Sequence, residues 1–216
     1  MRFLLPNLKV VVAVASPIAF EPLNGTDLLT TSIQTAKEFA THSGLSATVS
    51  VAAKKEYLAK VQSQFNGEII ECDPTNPASF AKVLENSTDF EIVAIHDAQR
   101  PLTSLAQFQR VITALAGNCD AARPATAFTE TLKAVNENSE LVKTIDRTKV
   151  RRVSTPEIIR KSALDFAGNE SNWFLPLKAG VETMEVEADP ESLRINSADE
   201  TAMAESFLVW QQRISR

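Results

Sequence analysis

The stretch AIHDAQRPLT, residues 94–103, places a histidine, a carboxylate and a guanidinium in a turn directly behind an apolar run. Asp97 and Arg100, three positions apart, carry two readings. One is a local ion pair that fixes the loop, a small effect at a surface. The other is an arginine that grips an anionic substrate, with the aspartate holding it or a metal. His96 reads equally as a packed loop side chain and as a reactive one. A second group is basic: Lys143, Arg147, Lys149, Arg151 and Arg152, with Asp146 among them. It is either the solvated face of an arm or a contact to phosphate, whose oxygens match the planar fork of arginine. Thr131, Thr144 and Thr155 add hydroxyls nearby, although Thr155 by itself is most simply a helix N-cap.

Other chemistries find little support. Two His and two Cys, widely scattered, match no zinc spacing, and Cys72 and Cys119 read as reduced thiols of a cytoplasmic protein. No Gly-x-Ser-x-Gly elbow, Walker loop or Gly-x-Gly-x-x-Gly is present. Of six glycines, none lies between Lys9 and Asn24. A net charge of −5 excludes the broad basic field of a nucleic-acid binder but leaves room for a local basic pocket. The opening MRFLLPNLKVVVAVASP is broken by Asn7 and Lys9, so it suits a buried first strand rather than a bilayer span.

These groups need a scaffold. The 216 residues, 44% hydrophobic, suit one domain over 1–216 with no repeat or linker. Val10–Ala15, Ala47–Ala52, Glu68–Cys72 and Phe90–Ile95 read as strands. Helical stripes lie between them: Leu29, Ile33, Ala36 and Ala40, stopped by Gly44; then Tyr57, Leu58, Val61 and Phe65, closed by Gly67. A further helix runs from an Asn76-Pro77 start to Leu84, and another carries Leu105, Phe108, Val111, Ile112 and Leu115. Alternation of this kind predicts βαβ crossovers and a mostly parallel sheet with helices on both faces. Ligands of such sheets bind beyond the carboxyl ends of the strands, where Asp97 and Arg100 would sit. Thr129–Val135 and Leu141–Ile145, joined by NENSE, predict a β-hairpin arm within about 129–153. Thr155-Pro156-Glu157 predicts a helix over Pro156–Phe166. Glu182–Val186 reads as a late strand, and Ser197-Ala198-Asp199-Glu200 as a capping box opening a last helix to about Ile214.

Five segments then match one family in order: IHDAQRP (95–101), ETLK (130–133), TIDR (144–147), STPE (154–157) and SLRINSADETAMAE (192–205). With the βαβ start and the arm, the chain resembles 2-C-methyl-D-erythritol 4-phosphate cytidylyltransferase over most of its length. The resemblance implies a Rossmann-like nucleotidyltransferase fold with a protruding hairpin. It implies transfer of CMP from CTP to methylerythritol phosphate with Mg²⁺ in isoprenoid precursor synthesis, and a homodimer whose arms swap. Asp97, Arg100, Thr131, Arg147, Thr155 and Arg194 would line the sugar-phosphate pocket, with Arg147 and Arg194 facing the phosphate. The family's IHDAARP has Ala where Gln99 stands.

The nucleotide side departs from the pattern. The family follows its first strand with Pro-Ala-Ala-Gly-x-Gly-x-Arg-Met and a later Pro-Lys. Here AVASPIAFEPLNGTDLL (13–29) is shorter and has no Gly before Gly25. No Lys or Arg lies between Lys9 and Lys37. The cytosine-side motif is reduced to CDPTNPAS (72–79), and the Thr-Asp pair before the late strand is absent around Glu170-Ser171-Asn172. What remains for the nucleotide is Ala13, where the shortened stretch begins, and Ser79. Glycine amides and basic groups stabilise a departing pyrophosphate. Their loss implies a homologue with impaired or lost catalysis, and no catalytic residue is assigned. The alternative is a non-catalytic protein that binds a phosphorylated metabolite or a partner; neither reading involves nucleic acid or a membrane.

Overall fold

A computed structural model describes residues 6–117, 119–169 and 171–214. The elements in chain order are β1 (Asn7–Val14), β2 (Pro22–Leu23), β3 (Thr26–Asp27), α1 (Leu28–His42), β4 (Ser46–Ala53), α2 (Leu58–Gln64), β5 (Glu68–Glu71), α3 (Pro77–Leu84), β6 (Ile92–Asp97), α4 (Leu105–Leu115), β7 (Ala121–Ala127), β8 (Lys133–Val135), β9 (Leu141–Thr144), β10 (Arg151–Val153), β11 (Glu157–Arg160), β12 (Thr183–Glu187) and α5 (Ala198–Ile214).

Eight strands form one sheet in the order β10-β7-β11-β6-β1-β4-β5, with β12 added to β7. β1 pairs in parallel with β4 and β6, β4 with β5, and β12 with β7. Only β10 and β11 run the other way. β1 lies in the middle, and its unbroken valine run follows from burial on both faces. Val10, Val12 and Val14 meet Leu29, Ile33, Phe39, Phe108 and Val111 on one side. Val11 and Ala13 meet Phe80, Leu84, Leu164, Trp173 and Leu175 on the other. Each such large side chain contributes roughly 1.5–3 kcal/mol when removed from water. The two layers hold the strand ends in register.

The helix starts obey local chemistry. Asp27, Asn76 and Ser104 accept from the amides of Thr30, Ser79 and Gln107 respectively. Gly44, with φ +72°, follows α1 in the left-handed region that favours glycine. At α5 the expected capping box is half formed. Ser197 Oγ accepts from the Glu200 amide, but the Glu200 carboxylate turns to the amide of Asn196 rather than that of Ser197.

One expectation fails outright. Pro156–Phe166 is not a helix: Glu157–Arg160 forms β11, followed by a 3-10 turn at Lys161–Ala163. The β-branched pair Ile158-Ile159 is buried between β6 and β7, whose ladders take both edges of the strand. That pairing overrides the proline-start signal. Consequently Thr155 caps nothing. The Thr155–Pro156 peptide is cis. β8 and β9 pair with each other as a separate hairpin, and the arm is largely exposed from Thr129 to Lys149.

Candidate functional site

The carboxyl ends of β1, β4, β5 and β6 form a rim, and the site residues fall into two halves along it. The first half is built at the end of β6. Asp97 is buried, and its Oδ2 accepts from Arg194 Nε at 2.7 Å while its Oδ1 accepts from the Gln99 amide at 3.0 Å. Arg100 Nε lies 4.0 Å from the same carboxylate. Arg100 otherwise spends its donors on the protein, giving Nη1 to Ser192 O at 2.8 Å and Nη2 to Val153 O at 3.0 Å. Burial, together with the nearby charges of Arg194 and Arg152, pulls its pKa below that of a free guanidinium, and Asp97 opposes the shift. Arg100 is therefore a clamp across two loops. Arg194, 36% exposed against 5% for Asp97, is the guanidinium that faces outward.

Thr155 stands beside this group with its hydroxyl turned inward. Its Oγ1 lies 2.9 Å from His96 Nδ1 and accepts from the Asp97 amide at 3.2 Å. His96 is fully buried against Phe108, and burial, aided by the Arg100 charge, drives its pKa down to about 3. The imidazole is thus neutral and packed. Two residues on, Glu157 is buried as well. Burial pushes its pKa up to about 7, although the Phe174 amide at 2.6 Å and the Arg123 guanidinium at 3.8 Å both favour the carboxylate.

A buried glutamine organises the loop that brings Arg194 in. Gln107 on α4 donates to Thr155 O at 2.6 Å and to Ser192 Oγ at 3.1 Å, and accepts from the Asp189 amide at 2.5 Å. An apolar groove of about 590 Å³ opens beside Arg194, between Leu102, Leu193, Ile195, Met203 and Phe207.

The second half follows β1 and differs in kind. Val14 leads to Ser16, which caps a 3-10 turn at Pro17–Phe20 whose Ala19 is buried. Asn24 and Gly25, with φ of +48° and +83°, turn the chain into β3 and the start of α1. No basic residue lies in this connection. Sequence reasoning missed the lysines at this end of the sheet: Lys60, whose Nζ lies 4.5 Å over the Phe20 ring, and Lys54, directly after β4. Its Nζ lies 3.3 Å from Asp73, and both are about one-third exposed. The Asp73 carboxyl sits below its ordinary pKa: burial opposes this, but the Thr75 hydroxyl and amide and Lys54 outweigh it. Ser79 Oγ accepts from the Asp73 amide at 3.4 Å. Ala13 is core, its carbonyl accepting from the Ala98 amide at 3.0 Å.

The fold therefore joins Asp97, Arg100, Thr155 and Arg194. Thr131 and Arg147 lie on the exposed arm, and no hydrogen bond or ion pair links them to that group among the described residues. Glu170 lies outside the described residues. Among those described, no cluster of three or more His, Cys, Asp or Glu is placed to hold an ion. With both Asp97 oxygens engaged, this donor set does not fit a resident Mg²⁺. No described helix is long and apolar enough to cross a membrane.

The family model for 2-C-methyl-D-erythritol 4-phosphate cytidylyltransferase (IspD) matches residues 12–209. The chain belongs to this family. A curated member from Saccharopolyspora erythraea is 29% identical over 128 residues, covering 56% of each chain. One from Roseobacter denitrificans is 32% identical over 133 residues, 59% of this chain and 58% of the relative. The chain thus spans little more than half the length of these curated relatives. In fold the likeness is nearly complete. The cytidylyltransferase of Thermus thermophilus superposes with a TM-score of 0.72 at 23% identity, over 92% of this chain and 97% of that one. The synthase of Anaerococcus prevotii gives 0.73 at 17% identity, over 94% and 98%. The Rossmann-like nucleotidyltransferase fold is that of the IspD proteins, with a mostly parallel sheet flanked by helices.

Gln107 and Lys54 escaped notice because amides and single lysines carry no motif, and Gln99 stood out only as a departure from the family pattern. For Lys54 a signal existed: it follows the predicted strand Ala47–Ala52 by two residues, the position where strand-end ligands are met.

Proposed function

We propose that this IspD-family chain binds a phosphorylated sugar alcohol of the methylerythritol phosphate type, and that its transfer of CMP from CTP is impaired or lost. The observation that carries the proposal is the connection after β1, a short apolar turn with neither glycine cradle nor cation. A triphosphate placed there meets Phe20 and Glu21 instead of glycine amides, and the cation beside the turn is Lys60, whose Nζ lies over the Phe20 ring at 4.5 Å. Removing one preorganised donor from such a site costs about 3–4 kcal/mol of transition-state stabilisation. The sugar-phosphate half supports the binding reading, since Arg194 is fixed and outward-facing.

Arg147 and Thr131 enter through a homodimer in which each arm reaches the partner's pocket, a reading supported by an arm that buries almost nothing in one copy. Light scattering giving the mass of one chain would contradict it. Any Mg²⁺ arrives with nucleotide phosphates. The chain acts in the cytoplasm. Lys54 favours a second reading, a working cytidylyltransferase with an altered triphosphate contact.

A pyrophosphate-release assay with CTP, Mg²⁺ and methylerythritol phosphate separates the two. The expected rate equals the blank, and turnover on the order of 1 per second would establish an active transferase. Calorimetry with methylerythritol phosphate alone should show weak binding that Arg147→Ala abolishes. An unchanged isotherm in that variant would remove the arm from the pocket.

A further inference from the structure

Gln99 occupies the single position of the Ile95–Pro101 motif at which this chain departs from the family pattern, and its side chain does what an alanine there cannot. It is buried, with every polar atom engaged. Oε1 accepts from Ser16 Oγ at 2.9 Å and from Arg194 Nη2 at 2.6 Å, and Nε2 donates to Ile195 O at 2.6 Å. Its backbone carbonyl accepts from the Ile195 amide at 2.8 Å. One residue therefore stitches the segment carrying Arg194 to the rim, and ties the same point to the turn after β1.

The effect falls on Arg194. Its Nε is held by Asp97, its Nη2 by Gln99, and its Nη1 by Asn196 Oδ1 at 2.5 Å. A guanidinium has five N–H donors. Three are engaged here, which leaves one on each terminal nitrogen, the pair that a phosphate accepts as a fork. An arginine side chain carries about 2 kcal/mol of rotamer entropy when free, and here much of that freedom is already removed in the unliganded protein. The fixing group comes from the protein, at the side where the family's nucleotide loop is missing.

We propose that Gln99 is a positioning residue which holds Arg194 ready for a phosphate in the absence of nucleotide, so that the phosphorylated ligand binds independently of CTP. The proposal rests on Arg194 being the phosphate contact, as read above. The isosteric Gln99→Met variant removes the acceptor and the donor together. Calorimetry with methylerythritol phosphate on the full chain should give the same Kd with and without CTP and Mg²⁺, and Gln99→Met should weaken it about tenfold. The ¹⁵N–¹H signal of Arg194 Nε, assigned by its loss in Arg194→Lys, should move toward the exposed arginines in the same variant. A merely structural glutamine would lower the unfolding midpoint without moving that signal. If Gln99→Met fails to fold, Gln99→Ala, the family's residue at this position, removes the same acceptor and donor and should weaken binding about tenfold in its place. Tighter binding by tenfold or more when CTP is added overturns the independence, as does an unchanged Kd in a folded Gln99→Met. If the parent binds no methylerythritol phosphate at all, the ligand reading fails. An Nε signal that Gln99→Met leaves unmoved refutes the role of Gln99 alone.

Discussion

The two halves of the rim solve the problem of charge in opposite ways. At the end of β6, Asp97 is buried and Arg100 nearly so, and Arg194 joins them through bonds that also hold the neighbouring loops in place. After β4, Lys54 and Asp73 form a loose pair at 3.3 Å in partial contact with water, and the turn after β1 has no charge to contribute beyond Glu21. The difference teaches which half can lose a charge without losing the fold. A buried network ties ligand binding to stability, whereas an exposed pair is free to change with function.

That contrast is sharpest in Asp97→Ala. The variant leaves two guanidiniums facing each other across a buried carboxylate's place, and breaking a buried pair in this way costs about 3–5 kcal/mol. Urea unfolding should show the loss, and a cost below about 1 kcal/mol would mean that water screens this half as well.

Next in size is the pH behaviour, where two buried groups near the same strand ends oppose each other. Glu157, raised to about 7, binds its proton more tightly in the folded chain than in the unfolded one. Its contribution is full below the unfolded carboxyl pKa and is lost as pH rises toward 7, about 3 kcal/mol over the window. His96, lowered to about 3, stays neutral in the fold while the unfolded imidazole protonates. Its contribution is present above pH 6.5, the ordinary histidine value, and is lost as pH falls toward 3. Between roughly pH 4.5 and 6.5 the two slopes cancel in the parent. In Glu157→Gln only the histidine slope remains, so stability should rise with pH through that window. A flat profile in the variant would show that His96 does not titrate as its burial implies, and a parent profile that rises like the variant's would show the same of Glu157.

The smallest effect belongs to the other half. Asp73→Ala should cost no more than about 1 kcal/mol, and Lys54→Ala less still. A loss matching that of Asp97→Ala would erase the distinction between the halves.

Much of this was legible in the sequence. The strands from Val10 to Ile95 and their intervening helices show plain periodicity, because burial on both faces of a parallel sheet demands unbroken apolar runs. The hairpin was legible for the converse reason: its polar turn and missing stripe mark a segment with nothing to pack on. Pro156–Phe166 misled, since Thr-Pro-Glu is a valid helix start and the strand there is imposed by β6 and β7 from distant parts of the chain. The ordered motifs identified the family and brought Asp97, Arg100 and Arg194 to notice. They did not reveal that Arg100 is committed to carbonyls, that Thr155 faces inward, or that Gln99 and Gln107 hold the loop. Those facts depend on which side of a backbone a side chain leaves, and no spacing encodes that.

The bond between Arg194 and Asp97 spans 97 positions of sequence. During translation, a nascent chain that has emerged as far as Glu187 possesses every strand of the sheet, yet leaves Asp97 with Arg100 as its only guanidinium partner. The carboxyl-terminal segment must leave the ribosome before the rim acquires its outward cation. The rim is thus completed only after every strand of the sheet has been made, and a chain halted short of Arg194 lacks the outward cation that Asp97 holds.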